Sequence, residues 1–170
     1  MNLVTVFLGA AEGLEAERRA FHSAVGEVNE AEGLARATLF VPLFVARKLH
    51  DQEVIDSNIQ SSAYFLLALD HTMGPPGRSF EHDLRVALAC RHDVGMPMRE
   101  AVVLLKRMPA DQAMEPAATA FRSREPVDGD PRRLEFDDVT EFQSLVRDLL
   151  SRWLRELAPE RTQAVAGHAE

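Results

Sequence analysis

The chain has 170 residues, 46% of them apolar, a formal net charge of −8 and a single cysteine, which is enough chain for one domain that buries its own core. The acidic balance argues against nucleic-acid backbones or anionic lipid as partners, and no stretch approaches the about 20 apolar residues of a membrane span. The lone Cys90 excludes an internal disulfide and a multi-cysteine zinc site; it sits among apolar helix residues, where a buried, inert thiol is expected.

From the N-terminus, Leu3-Val4-Thr5-Val6-Phe7-Leu8 is an apolar, β-branched run stopped by Gly9, the pattern of a strand buried on both faces rather than of a leader peptide. Glu12 to about Glu30 turns helical, with Leu14, Phe21, Val25 and Val28 on one face and Gly33 as the stop. Thr38 to Phe44 reads as a second strand, confined to an edge or cut short by Pro42. His50 to Ser61 is a short, weakly amphipathic helix, and Tyr64 to Leu69, the most apolar strand, belongs at the centre of the sheet. Ser79 is a good N-cap for a helix whose apolar face is Phe80, Leu84, Ala87 and Leu88. Ala101 to Leu105 is the next buried strand. Met108 to Arg132 has no clean period, with one helical piece from Asp111 to Phe121. Leu134-Glu135-Phe136 is a last short strand, and Asp138 or Thr140 caps the strongest helix, whose stripe runs from Phe142 through Trp153 to Leu157 and ends at Pro159. Strands alternating with helices imply a parallel sheet covered on both faces, one three-layer α/β domain over 1–158 followed by a flexible tail over 159–170.

In such sheets ligands bind beyond the carboxyl ends of the strands, so the Asp70 to Ser79 connection between the central strand and its helix is where a site is expected. The usual nucleotide and hydrolase signatures, G-x-G-x-x-G, G-x-x-x-x-G-K-[ST] and G-x-S-x-G, do not occur. Gly9-Ala10-Ala11-Glu12-Gly13 is a small-residue turn that either lets a ligand approach the backbone or simply closes a tight strand-to-helix connection. Asp70 either binds a ribose hydroxyl or caps its loop. Asp70-His71 and Glu81-His82 lack metal-motif spacing, and no metal is expected. Glu81 and Asp83 open the helix after Ser79. They stand about 200° apart around its axis and flank the apolar face on opposite sides. Either acid complements the helix macrodipole; as a site group it is a carboxylate suited to nucleophilic or electrostatic work.

Several segments carry a resemblance. VTVFLGAAEGLEAERRAF, then IDSNIQSSAYFLLAL, a Gly-bearing loop, SFEHDLRVALACRHDVGMP, AVVLLK and LEFDDVTEFQSLVRDLLSRWL resemble, in that order, TIR-like bacterial domains of unknown function. The resemblance implies a single flavodoxin-like domain with a parallel five-stranded sheet. Relatives include TIR domains that cleave NAD and the nucleoside deoxyribosyltransferases, which use a Glu in the helix after the third strand; four residues back from Ala87, that place is held here by Asp83, one methylene shorter.

Two functions follow as expectations. One is a TIR-like signalling or protein-interaction domain in a bacterial defence or stress system, acting through a homo-oligomer or a signalling partner protein. The other is a small enzyme that cleaves or transfers N-glycosidic bonds, with NAD, a nucleoside or a nucleotide as substrate and no cofactor. On the second reading Asp83 and Glu81 are catalytic and Gly9, Ala10, Asp70 and Ser79 bind substrate, with replacement of either acid abolishing base release at nearly unchanged melting temperature. A cytoplasmic location is expected.

Overall fold

The computed structural model describes residues 1–75 and 78–157. Its five strands are β1 (Asn2–Ala10), β2 (Thr38–Leu43), β3 (Tyr64–Leu69), β4 (Glu100–Lys106) and β5 (Arg132–Phe136). They pair in parallel in the order β2-β1-β3-β4-β5. This strand order is that of the flavodoxin-like fold. The helices are α1 (Glu15–Val28), α2 (Gln52–Gln60), α3 (Phe80–His92), α4 (Pro116–Ser123) and α5 (Val139–Leu157). Helix α1 packs on α5 and α2 on α3, as two layers laid down by crossover connections. None of the described helices is long and apolar enough to cross a membrane.

All six residues of β3 are buried, because β1 and β4 cover its edges and helices cover its faces. Alternation sends neighbouring side chains to opposite layers: Tyr64 stacks on Trp153 of α5, with ring centroids 4.1 Å apart, while Phe65 stacks on Phe7 of β1. β2 lies at the sheet edge, where Pro42 costs no ladder bond to a further strand. Its Phe40 is held instead by Asn29, whose amide accepts from the Phe40 N–H at 2.8 Å and donates to the Phe40 carbonyl at 2.9 Å.

Two expectations are corrected, and one pair of alternatives is resolved. Helix α1 does not stop at Gly33; it widens into a π turn over Asn29–Gly33 and a 3₁₀ turn over Leu34–Arg36, and the left-handed stop is Ala37, φ 52°. Gly33 is small for another reason, since a Cβ there would lie 2.6 Å from the Thr38 carbonyl oxygen. The helical piece in the irregular region is shifted to Pro116–Ser123, opened by Pro116 in its first turn. Asp138, not Thr140, caps α5: its carboxylate accepts from the Glu141 N–H at 2.9 Å, and Glu141 reaches back to the Asp137 N–H at 2.6 Å. Cys90 is buried, and burial, then Asp93, push its thiol pKa up. The tail over 159–170 and the stop at Pro159 lie outside the described residues.

Candidate functional site

The chain reverses direction across the sheet between β1 and β3, and the carboxyl ends of those two strands are where this topology leaves a crevice. Gly9 and Ala10, the last residues of β1, pair with Leu67 and Ala68 of β3. Above them opens a cleft of about 660 Å³, walled by the segment from Phe44 to Leu49 after β2, by Glu15 and Arg18 of α1, and by Phe80 and Asp83 of α3. The turn after Leu8 and the acidic start of α3 therefore share one hollow. A neighbouring cleft of about 690 Å³ lies over the end of β3 and is lined by Gly13, Asp70, His71 and Glu115; Glu12, Arg47 and Phe80 border both.

The two acids of α3 have opposite fates. Asp83 is 1% exposed and Glu81 is exposed. Asp83 points toward α2 and the segment after β2, where Arg47 forms an ion pair with its Oδ2 and Gln52 Nε2 donates to its Oδ1 at 3.0 Å. Glu81 lines neither cleft around Arg47. Replacement at nearly unchanged melting temperature is thus an expectation suited to Glu81; for Asp83 it is corrected by the buried ion pair.

Arg47 is the residue around which this site is assembled. Its guanidinium lies over the Phe80 ring, 4.4 Å from the centroid. It also donates to the Arg78 carbonyl at 2.7 Å, and Arg78 donates back to the Arg47 carbonyl at 2.9 Å. These reciprocal bonds tie the loop after β2 to the loop after β3. Burial, then the nearby Arg78 charge, lower the Arg47 pKa, yet a guanidinium stays charged. Across the mouth, Lys48 and Glu12 pair at 3.1 Å with both side chains well exposed, a contact worth little to stability. Arg18 lies over the Phe44 ring, 4.9 Å from its centroid, and has no ion-pair partner among the described residues.

The remaining expected residues divide between support and site. Asp70 is 5% exposed at the end of β3, and its Oδ1 accepts from both the backbone N–H and the hydroxyl of Thr72, at 2.9 and 3.0 Å. One oxygen is thus spent capping the loop; Oδ2 lies 3.6 Å from His71 Nδ1. A Cβ on Gly13 would come within 2.9 Å of that Oδ2, so glycine there lets the loop after β1 close down on β3. Ser79 is the N-cap of α3, its hydroxyl accepting from the His82 N–H at 3.4 Å, and it lines neither cleft around Arg47. His82 turns to Asp56 at 3.1 Å. Gly9, Ala10 and Asp83 therefore stand together, Asp70 stands next door, and Glu81 and Ser79 face elsewhere.

Arg47, Gln52 and Phe80 were not among the expected site residues. The signal available was Arg47-Lys48 just past a strand end, a place where loop residues reach ligands.

No family model matches the chain, and no curated protein matches it. Among solved structures, the metal-soaked flavodiiron core of Flv1 from Synechocystis sp. PCC6803 is similar over 91% of this chain, at 14% identity and a TM-score of 0.46. The chain spans 36% of that structure's length.

Proposed function

We propose that the cleft over β1 binds a nucleoside, a nucleotide or NAD, and that the domain cleaves or transfers its N-glycosidic bond with the Asp83 carboxylate beside the ribose. The observation carrying this reading is that Gly9 and Ala10 of β1 and the buried Asp83 of α3 line one cleft. The chain contributes a backbone turn without bulky side chains, two aromatic rings, Phe44 and Phe80, each covered by an arginine that a base would stack on or displace, and a carboxylate in a site partly shut off from water. As a glycosidic bond breaks, positive charge grows on the anomeric carbon and ring oxygen; a carboxylate at that spot stabilises it or attacks the carbon. Gln52 orients Asp83 from one side and Arg47 from the other. Substrate must share the carboxylate with Arg47 or displace it. Asp70 borders the adjoining cleft, and on this reading its Oδ2, which is not spent on Thr72, takes a ribose hydroxyl.

The test is incubation with NAD and a panel of nucleosides and nucleotides, with free base separated and quantified. Base release is expected, and Asp83→Asn is expected to reduce it by about 10²-fold or more. Release from no member of the panel, or undiminished release by the folded Asp83→Asn protein, ends the catalytic reading.

A second reading, a TIR-like signalling or interaction domain, is favoured by one observation. β2 is an edge strand without a charged residue, and on its face of the sheet Val41 is 38% and Leu3 of β1 65% exposed; edge strands are usually guarded by charge. The opposite edge, β5, carries Arg132, Arg133 and Glu135. Self-association through the unguarded edge predicts a dimer in sedimentation that Val41→Lys dissociates. A strictly monomeric protein at high concentration, with no partner captured, counts against this reading.

A further inference from the structure

A third cleft, of about 500 Å³, lies between the end of β4, the strand β5 and the connection that follows α4, and shares no lining residue with the two around Arg47. Four arginines line it, Arg107, Arg122, Arg124 and Arg133, against two glutamates, Glu125 and Glu135. In a chain of net charge −8 this lining carries more positive than negative side chains.

The arginines are not equivalent. Arg107 is neutralised by Glu135 at 3.2 Å and Asp137 at 3.0 Å, and Arg124 meets Asp130 at 3.4 Å. Arg122 and Arg133 make no ion pair among the described residues. Arg122 Nη2 donates to the carbonyls of Asp70 at 2.6 Å and Lys106 at 2.9 Å. That pins its guanidinium across the ends of β3 and β4 without cancelling its charge. Arg133 lies over the Phe121 ring, 4.6 Å from the centroid, and its Nη1 donates to the carbonyls of Phe121 and Arg124. Its Nε and Nη2 are buried and have no hydrogen-bond partner among the described residues.

Those two nitrogens form one edge of the planar guanidinium, the edge that grips an oxyanion through two parallel bonds. Leaving charged donors buried and unpaired is costly, and an oxyanion removes the cost. Two uncompensated guanidinium groups match a dianion better than a single carboxylate. We propose that this cleft binds a phosphate-bearing small molecule, held by Arg133 through Nε and Nη2, with Arg122 supplying the second unpaired positive charge and Arg124 standing at the rim. Arg124, Glu125 and Pro126, at the rim, are exposed residues of the connection between α4 and β5; the phosphate reaches the Arg133 edge by displacing that connection, while the sheet stays in place. This site is independent of Asp83 and of any glycosidic chemistry.

The experiment titrates the whole chain with inorganic phosphate, with acetate as the carboxylate arm and chloride at matched ionic strength as the control. Two quantities are followed, the melting temperature and the arginine Nε–H resonances. Phosphate is expected to raise the melting temperature saturably and to shift the Arg133 resonance, with acetate weaker by about tenfold and chloride without effect. Arg133→Gln is expected to weaken phosphate binding by about tenfold. Should that variant fail to fold, the exposed Arg124→Gln serves, with a smaller weakening expected. The proposal is overturned by an unsaturable response, by chloride or acetate acting as well as phosphate, or by undiminished affinity in the folded variants.

Discussion

Replacing Trp153 by alanine is expected to destabilise the domain by about 3–5 kcal/mol and to lower its melting temperature by roughly 10 °C. Two contacts could carry that cost, and their magnitudes separate them. The indole is fully buried and stacked on Tyr64 at 4.1 Å, and its Nε1 donates to Glu100 Oε2 at 2.5 Å. Glu100 keeps two bonds from Arg152, at 2.9 and 2.8 Å, when the indole is gone. Its carboxylate is therefore not orphaned, and the lost hydrogen bond is worth only about 1 kcal/mol. The cavity carries the rest. Trp153→Phe, which keeps a ring against Tyr64 but no donor, is expected to cost less than half of what alanine does; equal losses in the two variants would mean that the Glu100 bond dominates.

The chain's only tyrosine supplies a second readout. Burial, ahead of the charges around it, pushes the Tyr64 phenol up to about 12, above the ordinary value of about 10. A group raised on folding contributes stability that is complete below the unfolded pKa and is lost as pH climbs through the folded one. The domain should accordingly weaken between about pH 10 and about pH 12. Followed by near-ultraviolet absorbance, the phenol of Trp153→Ala should titrate closer to pH 10, because the ring that desolvates it is gone. An unchanged titration would show that the strands alone bury Tyr64.

What could be read from residues alone follows from how local the deciding physics is. The strand over Tyr64–Leu69 was legible to the residue because six apolar side chains in a row fit a strand buried on both faces and little else. Pro42 placed β2 at an edge because its missing N–H is tolerated there. The stripe of α5 was legible because nearly every turn contributes to the core. Helix α4 was not, since only Ala118 and Phe121 of its eight residues are buried, too few to set a period. At the site, the position of Asp83 in the first turn of α3 was readable, but its burial was not. Glu81 and Asp83 look alike along the chain. What turns one inward is the packing of α2 against α3, which brings Gln52 and the Arg47 loop over Asp83. Those partners lie 31 and 36 residues away, beyond any local pattern. The Arg133 edge is hidden in the same way, since its unpaired donors exist only once β5 and α4 are in contact.

Removing Arg47 while keeping its packing, by Arg47→Met, is expected to cost about 3 kcal/mol, the low end for breaking a buried ion pair. The reason is the partner left behind. Asp83 is 1% exposed, and without Arg47 only Gln52, among the described residues, still donates to its carboxylate. The reverse change is gentler. In Asp83→Asn the guanidinium keeps its bond to the Arg78 carbonyl and its seat over Phe80, and it borders two open clefts through which water can reach it. About 1 kcal/mol is expected for that variant. The two changes must then fail to add, because each removes one half of a single electrostatic arrangement. Introducing Asp83→Asn into Arg47→Met should restore stability, recovering about half of the loss, since a neutral amide no longer demands a buried counter-charge. Denaturant unfolding of the four proteins measures all three differences. If the second substitution lowers stability further, Arg47 matters through its backbone bond and ring contact, and the loop after β2 is held shut by those rather than by Asp83. If the rescue is seen, the carboxylate is the latch of the cleft, and any ligand that engages Asp83 must first loosen Arg47.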